Sequence, residues 1–129
     1  MSLNPDCTNI PYTLGRLFSV LEAIQLSANP GINATIKDRY FNTASSAPRS
    51  IFPTLLNVSQ SFIRKLKGGL RFYYEKQIEE LTSLLPAPLP AHLNLAQQSS
   101  FQMGYYHQRQ KHFEKKDQDN AEAEPAQAS

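Results

Sequence analysis

Cysteine is all but absent: Cys7 is the only one, and it lies near the N-terminus. That excludes an internal disulfide and a thiolate cluster for zinc, and a reducing cytoplasm suits such a chain. Long apolar runs are also missing, since nowhere do about 18 apolar residues follow one another as a membrane span requires. The opening Met1-Ser2-Leu3-Asn4-Pro5-Asp6 has no basic region followed by an apolar one, so no secretion signal is expected. Without export, the sequons Asn33-Ala34-Thr35 and Asn57-Val58-Ser59 read as chance. Bases are missing from one end: Asp117 to Ser129 holds 4 acids and no Lys or Arg.

Residue patterns that carry catalysis are missing as well. His107 and His112 stand about 140° apart around a helix of 3.6 residues per turn, so they do not share a face for a metal. No Glu-x-x-His pair of the di-iron type and no His-Glu-x-x-His occurs. Glu75 and Glu79 share a helix face, but Lys76 and the lack of a nearby His favour a solvated surface. Ser45-Ser46 and Ser99-Ser100 lie in no Gly-x-Ser-x-Gly elbow, and Gly68-Gly69 lacks the rest of a phosphate-binding loop. The expectation is a protein with no catalytic residues, no cofactor and no metal.

What is present begins with charge. Residues 1–116 carry all 13 Lys and Arg against 7 acids, a net +6, while the tail carries −4. A basic body of this kind suits a polyanion, because cations that neutralise phosphates release condensed counterions.

Leu14, Leu17, Phe18, Leu21 and Ile24 recur at three- and four-residue steps, which predicts a helix from about Pro11 to Ala28 with one apolar face. Asn29-Pro30-Gly31 stops it. A second helix is expected from Asn33, as its cap, to about Ala44, with Ile36, Tyr40 and Phe41 inward. The third carries Phe52, Leu55, Leu56, Phe62, Ile63 and Leu66; with Ser50 as cap Pro53 is tolerable near its first turn, whereas a start at Pro48 should make Pro53 kink it. After Gly68-Gly69, helical spacing resumes through Leu70, Tyr73, Tyr74, Ile78, Leu81 and Leu85. Pro86 to Pro90 is a stiff connector, and Asn94 with Gln97 opens a last helix to about Lys116. The fold expected is all-α: a single compact bundle of about five helices over residues 11–116, with a lead over 1–10. Residues 117–129, rich in Ala, Glu, Gln and Pro, are expected to be a disordered acidic tail.

Two stretches join cations with aromatic or amide groups. Arg64, Lys65, Lys67 and Arg71 bracket Gly68-Gly69, and Tyr105-Tyr106-His107-Gln108-Arg109-Gln110-Lys111 interleaves rings, amides and cations. Such groups hold phosphates and stack on unpaired bases. Cations near a helix C-terminus also complement its dipole, and an acidic protein surface is a further partner, so spacing alone leaves all three readings open. Adjacent residues on a helix diverge by about 100°, so in each Tyr-Tyr pair one ring is expected in the core and one at its edge.

Several blocks then occur in a telling order: Tyr12-Thr13-Leu14-Gly15-Arg16-Leu17, Gly31 to Phe41, Phe52-Pro53, Tyr73-Tyr74-Glu75-Lys76, Pro90-Ala91-His92-Leu93 and Gly104 to Arg109. Over roughly Pro11 to Lys116 they resemble the C-terminal region of the large subunit of the type I-C CRISPR Cascade complex. In that family the region is also made separately from an internal start codon, and this chain, opening with Met1, resembles that small subunit. The resemblance implies a helical bundle without nuclease activity that lies along the belly of the complex. Its implied partners are the large subunit, the backbone subunits that hold the CRISPR RNA, another copy of itself, and the R-loop of CRISPR RNA and target DNA. Arg16, Lys37, Arg39 and Arg109 are the matched cations and the implied DNA contacts. Arg64, Lys65, Lys67, Arg71 and Lys111 are candidates on local grounds. The alternative is a helical assembly module that touches only protein.

Overall fold

A computed structural model describes the backbone of residues 9–128 and the side chains of residues 9–111. The lead expected over residues 1–10 therefore lies almost wholly outside the described residues, Cys7 included. Five helices and no strand occur among the described residues: α1 (Ile10–Ala28), α2 (Ile36–Ser46), α3 (Pro48–Ile63), α4 (Gly68–Ser83) and α5 (Leu95–Ala128).

Helix α1 is the axis of the bundle. Asn9 caps it, its Oδ1 accepting the Tyr12 N–H at 3.1 Å, and Pro11 in the first turn costs no intrahelical bond. The sequence predicts one apolar face, but every residue from Pro11 to Glu22 is buried, as are Ile24 and Gln25. The reason is topological: all four other helices pack on α1, so its polar positions are covered along with its apolar ones. Phe18 marks the centre, with edge-to-face contacts to Phe41, Phe52, Phe101 and Tyr105 at centroid distances of 5.5, 6.4, 6.0 and 5.9 Å. Each such pair adds about 0.5–1.5 kcal/mol beyond the area it buries.

Two glycines set how closely α1 and α5 approach. A Cβ added to Gly15 would lie 1.9 Å from the Phe101 carbonyl oxygen, and one on Gly104 would lie 2.0 Å from the Tyr12 carbonyl oxygen. Each helix therefore presses its backbone into the gap left by the other's missing side chain.

Two helix starts differ from expectation. Helix α2 is capped by Thr35, not Asn33, because Asp38 accepts the Thr35 N–H at 3.0 Å and the buried Gln25 amide accepts the Ile36 N–H at 2.9 Å. Those two acceptors satisfy N–H groups that a helix start leaves open. Helix α3 begins at Pro48, and Ser50 lies inside it, its hydroxyl donating to the Ala47 carbonyl at 2.8 Å. Pro53 is thus interior and removes the bond that the Arg49 carbonyl would accept.

Helix α4 is the least embedded. Of its expected inward residues only Tyr74 and Leu81 are buried, Leu70 is exposed, and α4 packs only on α1 and α3. The second half of the connector to α5 is tied to the α2–α3 corner: Arg49 donates to the carbonyls of Pro90 (from its backbone, 3.2 Å) and Leu89 (from Nε, 2.7 Å), and the Leu93 N–H donates to the Ser46 carbonyl at 2.8 Å. Asn94 and Gln97 form the expected reciprocal cap, both bonds at 2.8 Å. Past the end expected near Lys116, the backbone of α5 continues helical through Ala128. Ala, Gln and Glu are good helix formers, and elongation of an existing helix needs no new nucleus.

Candidate nucleic-acid interface

The first matched cation is interior. Arg16 is 7% exposed, and its Nε donates to the buried Gln108 Oε1 at 3.0 Å. It joins α1 to α5, and burial leaves little of the guanidinium open to solvent. The resemblance implies Arg16 as a DNA contact; in the fold its side chain is buried against α5, which covers that side of α1.

The Tyr105 to Lys111 stretch divides in the same way. Tyr105, His107 and Gln108 face the interior, Tyr106 and Gln110 face out, and Arg109 and Lys111 are half-buried. His107 Nδ1 bonds the Tyr12 hydroxyl at 2.8 Å, while its Nε2 is buried with no hydrogen-bond partner among the described residues. The Tyr105 hydroxyl donates to the Glu22 carboxylate at 2.5 Å. Burial pushes the Tyr105 phenol well above its ordinary range, and the bond and charge of Glu22 add to this while Arg109 opposes it.

Lys37 comes to the same place from α2. Its Nζ lies 5.6 Å from the Tyr105 centroid, 5.6 Å from that of Tyr106 and 5.9 Å from that of Phe41. These are outer-limit cation–π distances, so the ammonium is steadied beside the rings while remaining partly open to solvent. Tyr106 stands edge-on to Tyr105 at 5.0 Å and is 47% exposed. Core ring and edge ring are thus as the spacing predicts, and the same holds for buried Tyr74 against half-buried Tyr73.

Other cations stand apart. Arg39 follows Lys37 by two residues, about 200° around the helix, and is exposed on another side of α2. Arg64, Lys65 and Lys67 are exposed at the turn between α3 and α4, and α4 touches neither α2 nor α5 among the described residues. Lys65 lies 5.4 Å from the ring of Phe62. Arg71 pairs with Glu75 at 2.8 Å, both about half exposed, an i,i+4 pair of small energetic weight. The candidate cations at the surface therefore fall in separate places: Lys37 beside Tyr106 with Arg109 one turn further along α5, the α3–α4 turn, and Arg39 apart from both.

No group of three or more His, Cys, Asp or Glu gathers among the described residues, and no described helix is long and apolar enough to cross a membrane. Fold and surface together define a small helical protein with aromatic and basic groups on one edge. The family described as CRISPR-associated protein (Cas_Csd1) matches residues 1–113, and the chain belongs to it. No curated protein matches the chain.

Membership was not visible in any one residue type. What the sequence missed was the inward turn of Arg16, His107 and Gln108. A signal existed: Arg16 and Glu22 are the only charges in all of α1, which is the composition of a helix covered on every side.

Proposed function

We propose that the chain is the non-catalytic small subunit of a type I-C CRISPR RNA-guided surveillance complex. In this role it stabilises the R-loop through sequence-independent contacts to the DNA backbone. The observation that carries the reading is the Lys37 ammonium beside the exposed Tyr106 ring, with Arg109 one turn further along α5, in a chain of a CRISPR-associated family. The physical warrant is that exchanging a DNA duplex for an RNA–DNA heteroduplex is nearly balanced, so modest backbone contacts tip it. Arg39 and the cations of the α3–α4 turn supply further contacts under this reading, and Arg16 is left out of it.

A second reading is an assembly module that meets only protein. The observation favouring it is exposed apolar surface: Phe72 is 68% exposed and Leu95 80%. Co-expression with the remaining Cascade subunits and CRISPR RNA tests both. The chain is expected to co-purify, and failure to do so contradicts both readings. Charge-removing substitutions that leave R-loop formation unchanged while assembly persists favour the second.

A further inference from the structure

Among the exposed side chains of the bundle, Tyr106 is the one whose surroundings are most specific. Its ring stands T-shaped to that of Tyr105, with centroids 5.0 Å apart and planes at 79°. The Lys37 ammonium lies 5.6 Å from its centroid, and Arg109 follows one turn later on the same helix. Gln102 and Gln110, four residues before and after it, are both exposed. From Leu95 to Lys111, α5 contains no Asp or Glu. The one acid of α2, Asp38, is engaged at the helix start by the Thr35 N–H. Asp38 keeps its charge but stands about 100° round α2 from Lys37, and the Glu22 carboxylate bonded to Tyr105 is buried, while Lys37 and Arg109 lie beside the exposed ring.

We infer that Tyr106 is a stacking platform for one unpaired base of a single DNA or RNA strand, with Lys37 and Arg109 taking the adjoining phosphates. The inference rests on the nucleic-acid reading above and narrows it, because phosphate contacts alone do not distinguish a single strand from a duplex. A base inside a duplex is already stacked on its neighbours; an unpaired base offers a free face, and any base serves because each has one. The ring adds what the cations cannot, a preference for the opened strand over closed DNA.

The test uses the full chain at low salt, with a labelled oligothymidylate and a duplex of equal length as probes. Tyr106→Ala weakens binding to the single strand by roughly 5- to 150-fold, the range for loss of one stacked base, and leaves duplex binding unchanged. Tyr106→Phe keeps the single-strand affinity, and Tyr106→Leu, which keeps apolar bulk without a π-system, loses it. The pair Lys37→Ala with Arg109→Ala weakens both probes and flattens the salt dependence. If the tyrosine variants bind the single strand as the unaltered chain does while the cation pair fails, the platform is overturned and the nucleic-acid reading stands. If the unaltered chain binds neither probe, or the cation pair changes neither, both fall. Loss of co-purification with the complex on Tyr106→Ala, without loss of oligothymidylate binding, makes the ring a protein contact and overturns the platform as well.

Discussion

Arg16, Glu22 and Gln25 are buried on α1, and each reaches a partner on another element: Gln108, Tyr105 and the Ile36 N–H. At this scale the interior is polar where helices must be joined in one register. Tyr105→Phe keeps the ring but leaves the Glu22 carboxylate short of its strongest donor. The expected cost is about 1.5–3 kcal/mol of unfolding free energy, read by denaturant titration. The same bond sets a pH dependence. Burial and Glu22 raise the Tyr105 phenol above its ordinary 10.0, so below pH 10 folded and unfolded chains both hold the proton and the contribution is complete. Above pH 10 the unfolded chain releases a proton that the fold retains, and stability falls. Burial raises Tyr73 and Tyr74 in the same direction, so Tyr105→Phe shallows the alkaline loss without abolishing it.

The element scale turns on how α1 meets α5. Gly15→Ala or Gly104→Ala places a Cβ against backbone oxygen at 1.9 or 2.0 Å, which neither a rotamer change nor a small shift relieves. Each is expected to cost about 3 kcal/mol or more, read as a lowered thermal midpoint. The double variant should cost less than the two together, since parting the helices once relieves both clashes. Helix α4, with only Tyr74 and Leu81 buried, should open before the rest: its amides are expected to exchange with solvent faster than those of α1. The helices themselves were legible because apolar periodicity marks them. The starts of α2 and α3 were not, because Gln25 is brought to Ile36 by tertiary packing, and Ser50 had an acceptor in Ala47 that spacing does not reveal. The outward turn of Leu70 was equally hidden, since periodicity gives a face but not how much of it a neighbour covers.

Across the whole molecule, the basic residues are scattered: Arg16 is interior, Arg71 ion-paired, Arg49 bonded to the connector, and the others lie on separate parts of the surface. The cations are plain in the sequence; only the fold brings Lys37 on α2 to the rings of Tyr105 and Tyr106 on α5. The same fold removes Arg16 from the surface, and no spacing rule foretold that. If Lys37, Arg39 and Arg109 help hold opened target DNA, the salt dependence of R-loop formation carries their signature. The direct measurement compares a reconstituted complex with one in which all three are replaced by Ala. The expected result is normal assembly, weaker R-loop formation, and a slope of log affinity against log salt that is shallower by about 0.7 for each single-strand phosphate left without its cation. An assembled complex with unchanged affinity and unchanged slope would contradict a role for these three cations in holding DNA.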